Sequence, residues 1–169
     1  PNTVKKAMRV LSSLDVDLCN LHAAGTKEMM EAALAGLTRE DGTRPLLIAV
    51  TQLTSTDARA LHEELLINRP MPEVVLSYAK LAEEAGLDGV VCSPLEAGAV
   101  HERCGSRFLT VTPGVRFADG ERGDQKRVMT PAEARKNGSD YIVVGRPITS
   151  AENPVEAYER CVREFSGNE

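Results

Sequence analysis

The sequence contains no tryptophan, and its three tyrosines and three phenylalanines make aromatic residues only 4% of 169 positions. Any core it builds is therefore aliphatic. No apolar run approaches the roughly 20 residues needed to cross a bilayer, so no membrane span is expected. No signal peptide is expected. There are four cysteines, Cys19, Cys92, Cys104 and Cys161. They lie far apart and form no C-x-x-C. Cys19 and Cys92 fall inside apolar strand-like runs, where a thiol behaves as a small hydrophobe. All four read as reduced thiols of a cytoplasmic protein. His22, His62 and His101 have no ligand spacing with one another or with the cysteines, so no metal site is expected. A G-x-G-x-x-G opening an early helix is also missing, which removes support for a dinucleotide-binding sheet. The formal net charge of −5 argues against nucleic acid or an anionic membrane as partner.

What is present is a regular alternation. Asn2 or Thr3 can cap a first helix whose face is Val4, Met8 and Leu11. Strand-like runs follow at 16–21, 45–50, 88–92, 108–111 and 141–144. Helical segments lie between and after them, at 26–37, 57–66, 72–85 and 95–102, then from Thr130-Pro-Ala-Glu and from Asn153-Pro-Val-Glu to about Phe165. The first of these tetrapeptides places a capping side chain, Thr130, before a proline at the first helical position. The run Pro45–Val50 shows no polar alternation, as in a strand buried on both faces. A helix followed by five βα units predicts one α/β domain over 1–169, with a parallel sheet. Five strands are too few for the eight of a TIM-type β/α barrel, so an incomplete barrel, truncated at its N-terminus, is expected.

Two segments carry the chemistry. T-P-G-V-R-F at 112–117 and V-V-G-R-P-I at 143–148 each end a strand in a glycine with an arginine at or near the next position. Backbone N–H groups and a guanidinium brought together in this way grip a phosphate. Between them lies the polar loop G-D-Q-K-R at 123–127. Arg116 and Arg146 read as phosphate contacts. Thr54 ends a strand; Ser55 and Thr56 compete to cap the next helix, which leaves Thr54 for a ligand. His22 ends another strand on the same face and reads as a histidine satisfied by a local hydrogen bond. Asp15, Asp17 and Asp57 read as turn or cap residues, and Met29 and Met30 as helix packing.

Taken together and in order, P-N-T-V at 1–4, V-T-Q-L-T-S at 50–55, T-P-G-V-R at 112–116, G-D-Q-K-R at 123–127 and V-V-G-R-P-I at 143–148 resemble the bacterial orotidine 5′-phosphate decarboxylase family. The resemblance covers essentially the whole chain. It implies a cofactor-free β/α barrel, working as a homodimer, that converts orotidine monophosphate to uridine monophosphate. Thr3 matches a threonine that reaches the nucleotide across the family's dimer interface. Thr54 matches the hydroxyl facing the pyrimidine amide edge, and Arg116, Gln125, Gly145 and Arg146 match the phosphate-binding set. The family's D-x-K-x-x-D element precedes P-N-T, so no catalytic residue is carried onto this chain. The catalytic lysine and aspartates are expected upstream of Pro1, and the fragment alone is expected to be inactive. Lys5 and Lys6 follow P-N-T and do not stand in for that lysine. The alternatives are a related phosphosugar barrel, of the keto-gulonate phosphate decarboxylase or hexulose phosphate synthase type, and a non-catalytic nucleotide-binding module. The Q-L-T and G-D-Q-K-R segments favour the first reading.

Overall fold

The structure is a computed structural model that describes residues 1–119 and 129–167. Five strands form one parallel sheet in the order β1-β2-β3-β4-β5: Leu18–His22, Leu46–Val50, Gly89–Val91, Leu109–Thr112 and Tyr141–Ile142. Strand neighbours in space are neighbours in sequence, as crossover helices require. The helices are α1 (Asn2–Leu11), α2 (Lys27–Leu37), α3 (Met71–Glu84), α4 (Ala97–Cys104), α5 (Pro131–Lys136), α6 (Arg146–Thr149) and α7 (Pro154–Ser166). The expected helix-then-five-βα order holds. The sheet is open, with β1 and β5 each paired on one side only, as an incomplete barrel demands.

One face of the sheet packs on the helices. Cys19, Leu21, Leu47, Ala49, Val90 and Cys92 join the helices' apolar residues in one aliphatic core. Met30 and Val75 in that core are fully buried. Met8 is buried at 5% exposure, with Val4 and Leu11 packed around it, so α1 covers the core through the predicted face. Gly36 of α2 is where the two helices touch. A Cβ there would fall onto the Lys5 carbonyl, so only glycine permits this approach.

Some local expectations are corrected. Neither Asn2 nor Thr3 caps α1; Pro1 precedes it without a side-chain cap. At its other end, Arg39 satisfies the Ser12 carbonyl through Nε at 3.0 Å and Nη2 at 2.7 Å. The segment at 57–66 is not a regular helix but a π-turn over Ala60–Glu64. The Asp57 carboxylate accepts the Ala60 N–H at 2.8 Å, and Leu66 stops the turn with φ at 57°. Asp57, not Ser55 or Thr56, holds this N-terminus. Strand β5 ends at Ile142 because the chain turns at Gly145 into the short helix α6. The Thr130 cap holds, and Asn153 caps α7 as well. Thr130 and Glu133 form a reciprocal capping box, and the Asn153 side chain accepts from the Glu156 N–H.

The N-terminal ends of the strands are stitched by aspartates. Asp88, just before β3, accepts the Leu47 N–H at 2.7 Å and pairs with Arg44. Asp140, just before β5, accepts the Thr110 N–H at 2.7 Å and the His101 ring at 3.0 Å. Polar side chains here tie one strand to the next and leave the opposite ends for binding.

Candidate ligand-binding site

In a parallel β/α sheet the helices start at the C-terminal ends of the strands, and sites form there. Register places His22, Val50, Val91, Val111 and Tyr141 in one row across the inner face. This row is aliphatic at its centre, with His22 and Tyr141 at its edges. The His22 ring is exposed, with no hydrogen-bond partner among the described residues, which corrects the expectation of a locally satisfied histidine. Thr54 lies beyond the end of β2 and is only 5% exposed. Thr51, between Val50 and Thr54, donates its hydroxyl to the Val91 carbonyl at 2.9 Å and fixes the path of that segment.

The two arginine segments follow adjacent strands. After β4, Gly114 adopts φ of 81°, a left-handed conformation that turns the chain sharply before Val115 and Arg116. Val115 then bridges Met129, and the Arg116 N–H donates to the Met129 carbonyl at 3.0 Å. Arg116 is 9% exposed. Its Nη1 donates to the Val115 carbonyl at 2.7 Å, which supports a buried guanidinium at the strand end. After β5, Gly145 is the N-cap of α6 and Arg146 its first residue. Among the described residues, a Cβ on Gly145 would meet no heavy atom within 4 Å, so the backbone there leaves room for a ligand to approach closely. Phe117 and Pro147, each following one of the arginines, line a shared cleft of about 520 Å³. Segments that are distant in sequence thus converge at the ends of β4 and β5.

Of the expected site residues, the structure groups Arg116, Gly145 and Arg146 on neighbouring strand ends. Thr54 lies two strands away, at the end of β2. Thr3 occupies the exposed first turn of α1, which packs on α2 and away from the β4–β5 side. Gln125 lies outside the described residues. The lysines among the described residues all lie on helices, and none directly follows a strand. No group of three or more His, Cys, Asp or Glu side chains suited to a metal occurs among the described residues.

Two features had no signal in the sequence. Arg160 on α7 donates to both Asp119 oxygens, at 3.0 Å and 2.9 Å, and stacks on the Phe117 ring with its guanidinium carbon 4.2 Å from the centroid. Asp119, and then Glu164, raise the Arg160 pKa above its ordinary range, while Arg160 holds the Asp119 carboxyl below the usual carboxylate range.

Residues 1–161 match the family described as Orotidine 5′-phosphate decarboxylase / HUMPS family. The chain belongs to that family. It is 59% identical over 172 residues to the orotidine 5′-phosphate decarboxylase of Geobacillus sp. (strain WCH70), covering 100% of this chain and 72% of that one. Identity to the Bacillus caldolyticus enzyme is also 59%, with 70% of that protein covered. Among solved structures, the orotidine 5′-phosphate decarboxylase of Lactobacillus acidophilus superposes with a TM-score of 0.84 at 43% identity, over 98% of this chain and 70% of that one. The open five-stranded sheet is thus part of the orotidine 5′-phosphate decarboxylase barrel, and the chain spans about 70% of these relatives.

Proposed function

We propose that this chain is the nucleotide-gripping part of an orotidine 5′-phosphate decarboxylase, acting in pyrimidine biosynthesis on orotidine monophosphate to give uridine monophosphate and CO₂. The observation that carries the reading is the placement of Arg116 and Arg146 after adjacent strands, with the open backbone of Gly145 directly before Arg146. Two guanidiniums and backbone N–H groups suit a phosphate monoester dianion. In this reading Gln125 adds a further phosphate contact, and Thr54 hydrogen-bonds the pyrimidine amide edge. Thr3 reaches the nucleotide of a second copy in a homodimer, which accounts for its exposed place away from the other site residues.

The reaction breaks the C6–carboxylate bond, leaves its electron pair on C6 and replaces it with a proton. The residues of this chain bind and orient. The phosphate grip lies far from the reacting carbon, and its binding energy serves catalysis only where it is realised in the transition state. A cytoplasmic location suits such a biosynthetic enzyme; no described helix is long and apolar enough to cross a membrane. The test is turnover of orotidine monophosphate by an enzyme of full family length carrying this sequence, together with binding of uridine monophosphate and of uridine. Preference for the phosphorylated ligand supports the reading. Equal affinity for both sinks it.

A further inference from the structure

Arg160 lies on α7, directly after neither phosphate arginine in sequence, yet its contacts reach the segment of Arg116 and its helix follows that of Arg146. Nη1 and Nη2 bind the two Asp119 oxygens, Nε donates to Glu164 at 2.8 Å, and the guanidinium face covers Phe117. Each nitrogen of the group donates one hydrogen bond, which fixes its plane and makes it an oriented brace. Phe117 is the residue after Arg116. The Arg116 peptide is thus held on one side by its N–H bond to Met129 and on the other by the stack on Phe117. The helix that carries Arg160 begins at Pro154, a few residues after Arg146 and α6. The cleft between the two segments is lined by Phe117 and Pro147 on one side and by Asn153, Glu156 and Arg160 of the α7 end on the other.

We propose that Arg160 is a positioning residue for phosphate binding: by clamping Phe117 and Asp119 onto α7, it fixes the spacing of Arg116 relative to Arg146. The inference rests on the phosphate reading given above. A planar fork with a stacking face is required, since an ammonium can neither pair with both Asp119 oxygens nor cover the ring in the same way. Asp119 is well exposed, so the ion pair by itself adds little to global stability. What the clamp supplies is a set distance between two binding groups.

The experiment uses an enzyme of full family length carrying this sequence, with uridine monophosphate and uridine as paired probes. Arg160→Ala is expected to weaken uridine monophosphate binding about fivefold, the size of one well-made exposed contact, and to leave uridine unchanged. Arg160→Lys should stay close to the alanine variant. Asp119→Asn and Phe117→Leu should each weaken uridine monophosphate binding, and neither loss should add fully to that of Arg160→Ala. Unchanged uridine monophosphate affinity in Arg160→Ala overturns the proposal. So does an equal loss for both probes, which marks a general effect on folding. Arg146→Ala separates the two readings. If that variant loses affinity equally for both probes, the phosphate reading itself fails. If its loss is selective and that of Arg160→Ala is not, only the brace fails.

Discussion

Arg44 and Asp88 meet as a two-pronged pair at the N-terminal end of β2 and β3, with Nη2 donating to Oδ1 at 2.9 Å and Nη1 to Oδ2. Oδ2 also takes the Leu47 N–H. Burial works against this carboxylate, but Arg44 and the Leu47 N–H outweigh it and hold the Asp88 carboxyl below its ordinary range. Its folded pKa is therefore lower than its unfolded value of about 3.9. The pair's contribution is present above that unfolded value and is lost as pH falls through the folded pKa. Asp88→Asn is expected to cost about 2 kcal/mol at neutral pH, as for a hydrogen bond to a charged group. It should also flatten the loss of stability below about pH 4. Urea unfolding from pH 7 to pH 3 for both proteins checks this, and an unchanged acid slope in the variant would refute it.

Arg146→Ala should lower kcat/KM for orotidine monophosphate by about 1.5–3 kcal/mol, the range for a charge-assisted hydrogen bond. A substrate lacking the phosphate should be affected far less. Lysine at this position should recover part of the loss, because it restores charge without the paired donors. Kinetics with both substrates make the comparison, and equal losses on the two would move Arg146 from binding to packing.

Gly36→Ala pits two effects against each other. Alanine favours an isolated helix by about 1 kcal/mol over glycine. Here the new methyl would strike the Lys5 carbonyl, which is backbone and cannot swing away. Overpacking of this kind costs about 1–3 kcal/mol, so a net fall in stability is expected, with α1 pushed off α2. A raised Tm would show that the helices do not approach this closely.

The 169 residues alone are expected to release no CO₂ from orotidine monophosphate. No lysine among the described residues follows a strand directly, so none stands where a barrel's proton donor would be. Turnover by the purified chain, unaffected by further purification, would refute this.

Much of this architecture is legible in the sequence because its signals are local. Buried strands announce themselves as Leu-Leu-Ile-Ala-Val, and Thr130-Pro-Ala-Glu specifies a helix start residue by residue. The glycines beside Arg116 and Arg146 mark strand ends for the same reason. The segment at 57–66 misled because its apolar spacing fits a helix. Its π-turn buries Leu61 and leaves Leu66 outside, a backbone path that periodicity does not encode. His22 reads as satisfied in sequence, yet it stands on an open edge row, since the state of its ring depends on what lies across the sheet. The Arg160 clamp is invisible for a further reason. Its partners Phe117 and Asp119 are some forty positions away, and any of the surface arginines could have filled that role.

The strictly sequential strand order bears on how the chain is made as well as on how it stands. Each of β2 to β5 docks beside the strand synthesised just before it, so none of these four pairings waits for a distant partner to leave the ribosome. Loop closure at each step spans only one βα unit, which keeps its entropic cost low. This part of the sheet can grow from β1 toward β5 in the order of translation, and the nucleotide-gripping turns, which follow β4 and β5, would form after the three strands before them.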